Sequence, residues 1–254
     1  MKRSEVRHKI QNSSLGFIAG YVDTLGFVAL FGLFTAHVTG NFVLIGAEMA
    51  NPQGGPLLLK ILAFPAFIFG IVFSRLLVAS LQSNGRHALF YLYIVELFLL
   101  TAFMALGTLA EPIGHEPSFY AGLAGIVGAM AMGTHSGYGR LLLSHLVPTA
   151  MMTGNVTQLV IDAVDVMRGA ADDNVKRRCK KFLWPVLSFS VGAVGAAFAY
   201  QWFGFVALLL PICMMFHLMF IERGALHKNQ HQNEHKRKQH KLAKQKRESQ
   251  AVHQ

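Results

Sequence analysis

The sequence is poor in cysteine and in charged residues. Its two cysteines, Cys179 and Cys213, give no disulfide framework and no metal-binding spacing. Only 14% of the 254 residues are Asp, Glu, Lys or Arg, against about 25% in soluble domains. No pairing of a nucleophile with a base is visible either. We therefore expect neither an enzyme nor a protein that holds a metal or another cofactor.

The basic residues are confined to a few regions. Of 23 Lys and Arg, four lie in residues 1–10, six in 168–181 and nine in 223–254. The net charge of +10 would suggest a nucleic-acid partner if these residues shared one folded face. Because they lie at the chain ends and in one loop, the positive-inside rule of membrane proteins explains them better. We therefore expect a lipid bilayer, and no nucleic acid, as partner.

Apolar residues make up 53% of the chain and form long runs. Four runs are about as long as a membrane-crossing helix, which needs about 20 residues. These runs are residues 15–34, 57–81, 88–110 and 119–139. A fifth run, 182–220, suffices for two crossings joined by a turn near 201–204. We predict an all-α, polytopic membrane helix bundle of six to eight membrane segments.

One polar element occurs twice in this apolar body. Thr35–Asn41 and Thr149–Asn155 share five of seven residues, including Thr-Gly-Asn, and lie 114 residues apart. We interpret them as equivalent points of two structural repeats, each with a helix broken at Thr-Gly-Asn. The predicted regions are a cytoplasmic N-terminus (1–14), repeat 1 (15–110), repeat 2 (111–221) and a disordered, basic, His- and Lys-rich cytoplasmic tail (222–254).

Two topologies fit these segments. If the short helices after both triplets cross the membrane, the result is eight crossings and parallel repeats. If both are re-entrant, six crossings remain and the repeats are inverted. The second arrangement places both termini, Arg86, Arg140 and loop 168–181 inside, and Glu111 and Glu116 outside. We favour it, because it satisfies the positive-inside rule at each of these loops.

The candidate site for a substrate or ion surrounds the two triplets. Its residues are Asp23, His135, Thr39, Gly40, Asn41, Thr153, Gly154 and Asn155. Thr or Asn of each triplet could cap the following helix, whose free N–H groups attract an anion or polar solute. An acid as deep as Asp23 indicates a cavity-facing group. His135 has a side chain that can titrate near neutral pH.

Structural roles remain open for the same residues. Asp23 could instead be a buried acid that is hydrogen-bonded to a neighbouring residue or helix. For Glu96, in the third long run, we expect an ion pair with Arg75 or Arg140. For His135 taken alone, a satisfied polar contact is the favoured interpretation.

The motifs also resemble a known family. The residues that carry the resemblance are Gly20-x-x-Asp23, Phe34–Asn41, Met132-Gly133 and Met152–Asn155. Over roughly residues 15–221 the chain looks like the YoaK family of bacterial inner-membrane proteins, also called DUF1275. The resemblance implies six or seven membrane helices and no established activity. This chain has His135-Ser136 where the family often has Gln-Asn, so a role shared through that pair does not follow.

These observations predict a small-solute transporter or permease of the bacterial inner membrane, with both termini cytoplasmic. Its solute would be small and polar or anionic, and coupling to a proton or cation through Asp23 is one hypothesis. The alternative is a non-transporting membrane scaffold or sensor that acts through the basic C-terminal tail. Either form could act alone or as a homo-oligomer.

Overall fold

The computed structural model describes residues 3–51, 56–114, 117–149 and 151–225, and every regular element in these ranges is helical. The helices are α1 (Arg3–Ala29), α2 (Val38–Ala50), α3 (Leu57–Ser83), α4 (Ala88–Ala110), α5 (Phe119–Leu142), α6 (Met152–Met167), α7 (Asp173–Phe203) and α8 (209–225). The 3₁₀ turn Gly204–Leu208 separates α7 from α8, next to the predicted turn. The all-α class is confirmed. The predicted tail beyond residue 225, the turn residues 52–55 and Glu116 lie outside the described residues.

Three segments of the described chain are long and apolar enough to cross a membrane, namely α3, α4 and the stretch from α7 through α8. Large apolar side chains on them are exposed, among them Phe98 at 70% and Phe198 at 62%, as expected where a helix faces lipid. Membrane-spanning helices imply a lipid bilayer around the protein. Residues 11–26 of α1 and 121–138 of α5 are largely buried by protein, so most polar residues and glycines in these stretches are shielded from lipid.

Two helix pairs form the centre of the bundle, α1 with α7 and α3 with α5. In the first pair, a methyl group on Gly20 would overlap the Phe189 carbonyl, and one on Gly192 would overlap the Phe17 carbonyl. Glycine is therefore required at both points, because the two backbones touch there.

The α3–α5 pair repeats this contact. A methyl group on Gly70 would overlap the Met130 carbonyl, and one on Gly133 would overlap the Phe67 carbonyl. In both helix pairs, each contacted carbonyl lies three residues before the glycine of its own helix. The two crossings therefore have the same reciprocal geometry.

Contacts of α1 define one end of the bundle. The side chain of Gln11 donates to the Tyr93 hydroxyl of α4 at 2.6 Å, and Asn12 accepts the Val147 N–H at 3.2 Å. Arg7 forms an ion pair with Glu222 near the end of α8. The first turns of α7 lie beside them and carry Arg177, Lys180 and Lys181. We call this the basic end.

The opposite end gathers the end of α4, the start of α5 and the α7–α8 turn. The Glu111 carboxylate accepts the Phe205 N–H at 2.9 Å. Leu30 and Leu33, which follow α1, pack against Gly125 of α5 and Leu59 of α3. We call this the acidic end, after Glu111.

The short helices α2 and α6 lead to opposite ends. α1 ends at Ala29 and not at residue 34 as predicted, and left-handed backbone at Phe31 (φ 56°) and Gly32 (φ 73°) turns the chain. α2 then leads to α3, which begins at the acidic end. α6 leads to α7 at the basic end, where Asp162 of α6 accepts two hydrogen bonds from Arg178 at 2.6 and 2.8 Å.

Candidate functional site

Each Thr-Gly-Asn triplet lies in the first turn of a short helix. Because α2 begins at Val38 and α6 at Met152, Gly40 and Gly154 are both helical. The breaks therefore come just before the triplets. We call residues 30–37 the first interruption, and residues 143–149 together with Met151 the second.

The predicted helix capping by the triplets is wrong. The N-cap residues are His37 and Met151, and neither makes a side-chain capping hydrogen bond. The triplet side chains lie too far into the helix to cap it. The side chains of Asn41 and Asn155 instead reach back to the interruption that precedes them.

The two asparagines make equivalent contacts. Asn41 Nδ2 donates to the Phe34 carbonyl at 2.7 Å, and Asn41 Oδ1 accepts the Phe34 N–H at 3.0 Å. Asn155 Nδ2 donates to the Pro148 carbonyl at 2.6 Å. In each case the carbonyl lies seven residues before the asparagine. Proline has no N–H, so the second bond cannot form at Pro148.

Asp23 anchors the first interruption. Its Oδ1 accepts the backbone N–H of Ala36 at 2.6 Å and that of His37 at 3.3 Å. Its Oδ2 lies 2.5 Å from His37 Nδ1. The residue is only 4% exposed, so its carboxylate is buried among the groups it binds. These donors satisfy the buried carboxylate and hold the backbone of Ala36 and His37 in place.

A second buried cluster anchors the second interruption. Glu96 Oε1 lies 2.8 Å from His135 Nδ1, and Glu96 Oε2 accepts the Tyr138 hydroxyl at 2.6 Å. On its other side, His135 Nε2 lies 2.9 Å from Thr149 Oγ1. Both Glu96 and His135 are almost fully buried. The expectation that Glu96 pairs with an arginine is therefore wrong, because His135 and Tyr138 occupy its two oxygens.

The His135–Thr149 contact positions a residue of the cavity wall. With Nδ1–H directed to the Glu96 carboxylate, His135 accepts the Thr149 hydroxyl proton at Nε2. Thr149 lines a cavity, so the buried Glu96–His135 pair fixes the orientation of a hydroxyl group on its wall.

That cavity lies between the two interruptions and has a volume of about 420 Å³. Ala36–Thr39 line it from the first side, and Pro148, Thr149 and Met151 line it from the second. The remaining wall comes from α3 and α5. It includes Arg75, Ser136 and Arg140. Residues of both sequence repeats therefore meet at one space.

The predicted site residues divide into three groups. Among them, Thr39 lines the cavity. Asp23, Asn41, His135 and Asn155 are buried directly behind the wall and hold its segments in place. Gly40, Thr153 and Gly154 are not among the described residues that line the cavity.

Sequence reasoning missed the charged part of the wall. Arg75 or Arg140 is the partner that the sequence predicts for Glu96, but both arginines line the cavity. Arg140 Nη2 lies 2.8 Å from Met151 Sδ, and among the described residues neither arginine has a carboxylate partner. Only four basic residues lie in the apolar body, which is the signal that could have marked these two as functional.

Comparison with known proteins places this architecture in a family. Residues 12–221 match the family model described as "Protein of unknown function (DUF1275)". The chain belongs to the DUF1275 family. The resemblance inferred from the motifs is thus confirmed, and the cavity and both interruptions lie inside the matched region.

The chain is also similar to the UPF0700 transmembrane protein YoaK of Bacillus subtilis (strain 168). It is 24% identical over 220 residues, which cover 82% of this chain and 90% of YoaK. No solved structure matches the chain.

Proposed function

We propose that this DUF1275 protein is a small-solute transporter of the bacterial inner membrane, which moves its solute without changing it chemically. The observation that carries the proposal is the single cavity lined by both interruptions. Secondary transporters commonly bind their solutes near the bilayer midplane, where broken helices from two repeats meet.

Two inverted repeats, α1–α4 and α5–α8, are part of the proposal. If α1 corresponds to α5 and α3 to α7, the central pair α1–α7 becomes the pair α5–α3. The reciprocal glycine contacts and the contacts of the asparagines with carbonyls seven residues earlier follow the same correspondence. The short helices α2 and α6 lead to opposite ends, which supports six full crossings with two re-entrant helices.

The proposed orientation places the basic end in the cytoplasm. Both described chain ends lie there, together with the cluster of basic residues around the start of α7. The positive-inside rule supports this choice. Arg140 and Leu141, near the end of α5, line the cavity, so one side of its wall lies toward the basic end.

Coupling to a proton would use the Asp23–His37 pair. His37 lines the cavity and has a side chain that is 34% exposed, whereas the Asp23 side chain is 5% exposed. A proton from the cavity would therefore reach Asp23 through His37. This keeps the coupling role predicted for Asp23 but assigns the contact with the cavity to its histidine partner.

Blocking the cavity tests the proposal. Thr39→Trp places an indole in the cavity, whereas Thr153→Trp makes the same change at the matching position of α6, outside the described lining. Each protein is reconstituted in proteoliposomes that are adsorbed on a solid-supported membrane. Currents are recorded after rapid increases in the concentration of anionic, zwitterionic, neutral and cationic metabolites. We expect saturable currents from wild type and Thr153→Trp and none from Thr39→Trp.

Two results would contradict transport through this cavity. One is that wild-type protein gives no current with any metabolite of the panel, although a cooperative thermal unfolding transition shows that it is folded. The other is equal activity of Thr39→Trp and Thr153→Trp, because a filled cavity could not then be the pathway.

A further inference from the structure

The geometry points to the chemical class of the solute: we propose that the cavity binds a small anion with a carboxylate or phosphate group between Arg75 and Arg140. This inference rests on the proposed transport function, since it concerns the same cavity.

The charges on the wall carry the argument. Arg75, Arg140 and His37 line the cavity, and no Asp or Glu is among the described residues that do so. The nearby carboxylates are already bound, Asp23 by backbone N–H groups and His37, and Glu96 by His135 and Tyr138. The two guanidinium groups therefore have no internal counter-ion in the described part of the chain.

Arginine matches carboxylate and phosphate groups particularly well. Its planar guanidinium can donate two parallel N–H groups to two oxygens of such an anion. Arg140 Nη2 donates to the thioether sulfur of Met151 at 2.8 Å, and a thioether is a weak acceptor. An incoming carboxylate or phosphate oxygen is a much stronger acceptor and would displace this contact.

The first turn of α2 adds partial positive charge beside the cavity. α2 begins at Val38, and Val38 and Thr39 line the cavity. The positive dipole end of this helix therefore lies next to the space and favours an anion there.

The size of the cavity limits the solute. Its volume of about 420 Å³ lies in the lower part of the range of about 300–1,000 Å³ for small-molecule sites. A small organic acid or a small phosphate compound fits such a space, whereas a lipid with two acyl chains does not.

The test measures the electrostatic preference of the cavity without requiring its natural solute. Cys179 and Cys213 are replaced by Ser, and Thr39→Cys is introduced on the cavity wall. Thr153→Cys, outside the described lining, is the matched control. In nanodiscs, which leave both membrane faces accessible, the rates of reaction with an anionic and a cationic methanethiosulfonate of similar size are compared.

We expect the anionic-to-cationic rate ratio at Thr39→Cys to exceed that at Thr153→Cys by about tenfold or more, because a charged cleft concentrates counter-ions. Adding Arg75→Gln or Arg140→Gln should reduce the ratio severalfold at Thr39→Cys and leave it unchanged at Thr153→Cys. A ratio at Thr39→Cys that is equal to or lower than the ratio at Thr153→Cys would overturn the anion assignment alone. If neither reagent reached Thr39→Cys, the solvent-accessible cavity and the transport proposal would both fail.

Protection of Thr39→Cys by added solutes distinguishes a carboxylate from a phosphate ligand. Inorganic phosphate, succinate and the neutral succinamide are each added up to the highest concentration that leaves the Thr153→Cys rates unchanged. Slower modification of Thr39→Cys with phosphate or succinate, and not with succinamide, supports the proposal and identifies the preferred group. Protection by neither anion, or equal protection by succinamide, overturns it.

Discussion

The two interruptions share one backbone contact and differ in the groups that anchor them. In both, an asparagine side chain donates to a carbonyl seven residues earlier. The first interruption is held in addition by the Asp23 carboxylate, which binds two backbone N–H groups and His37. The second is held by His135 through the Thr149 hydroxyl and by Asn12 through Val147.

This difference suggests how the two halves divide their tasks. The Asp23 carboxylate binds several donors at once and fixes the first interruption firmly. Separate hydrogen bonds of three side chains, those of His135, Asn12 and Asn155, hold the second less firmly. We therefore expect the second interruption to move more easily as the cavity changes its access, and the first to remain in place.

Loss of the Asp23 anchor should have the largest effect. Asp23→Leu leaves the N–H groups of Ala36 and His37 without their acceptor, and breaking a buried pair costs about 3–5 kcal/mol. We expect a loss of this size in the free energy of unfolding, measured by SDS titration in mixed micelles. Asp23→Asn keeps one acceptor oxygen and should lose less, and exposed Asp173→Asn is the control. Unchanged stability of Asp23→Leu would show that the carboxylate does not hold the interruption.

Substitution of the asparagines should also destabilise the protein more at the first interruption than at the second. Asn41→Ala removes two hydrogen bonds to the backbone and should lower the free energy of unfolding by about 2–3 kcal/mol. Asn155→Ala removes one such bond and a weak contact with Met152 Sδ, and should cost about 1–2 kcal/mol. The same SDS titration measures both, with exposed Asn174→Ala as the control. A larger loss for Asn155→Ala than for Asn41→Ala would reverse the proposed ranking of the interruptions.

Deleting the basic tail should have the smallest effect. Removal of residues 226–254 leaves α8 and the Arg7–Glu222 pair intact. Metabolite-driven currents in proteoliposomes should then persist at near wild-type size. Their loss in folded protein would favour the scaffold or sensor alternative, in which the tail carries the activity.

The sequence predicted the helical class and most apolar runs because hydropathy and length report directly on burial in lipid. It also located the two triplets, since a duplicated polar element in an apolar body can be recognised from residue identity alone. The start of α1 at Arg3 could not be predicted in this way, because Arg7 and Gln11 are held by α8 and α4. These contacts depend on tertiary packing.

The roles within the site were harder to predict. Spacing alone does not tell whether Asn41 caps its own helix or binds Phe34 seven residues earlier. Nor does it tell that Glu96 meets His135, which leaves Arg75 and Arg140 on the cavity wall. These assignments depend on the direction of side chains between helices that are distant in sequence.

The most direct test of the central claim is a cross-link across the cavity. In the protein without native cysteines, Thr39→Cys places a thiol on the cavity wall next to the first interruption, and Met151→Cys places another on the wall at the second. A short bifunctional methanethiosulfonate should join these two thiols, and should not join Thr39→Cys to Thr153→Cys. If the first pair reacts singly with monofunctional reagent but never cross-links, the two interruptions do not face one cavity, and the account is contradicted.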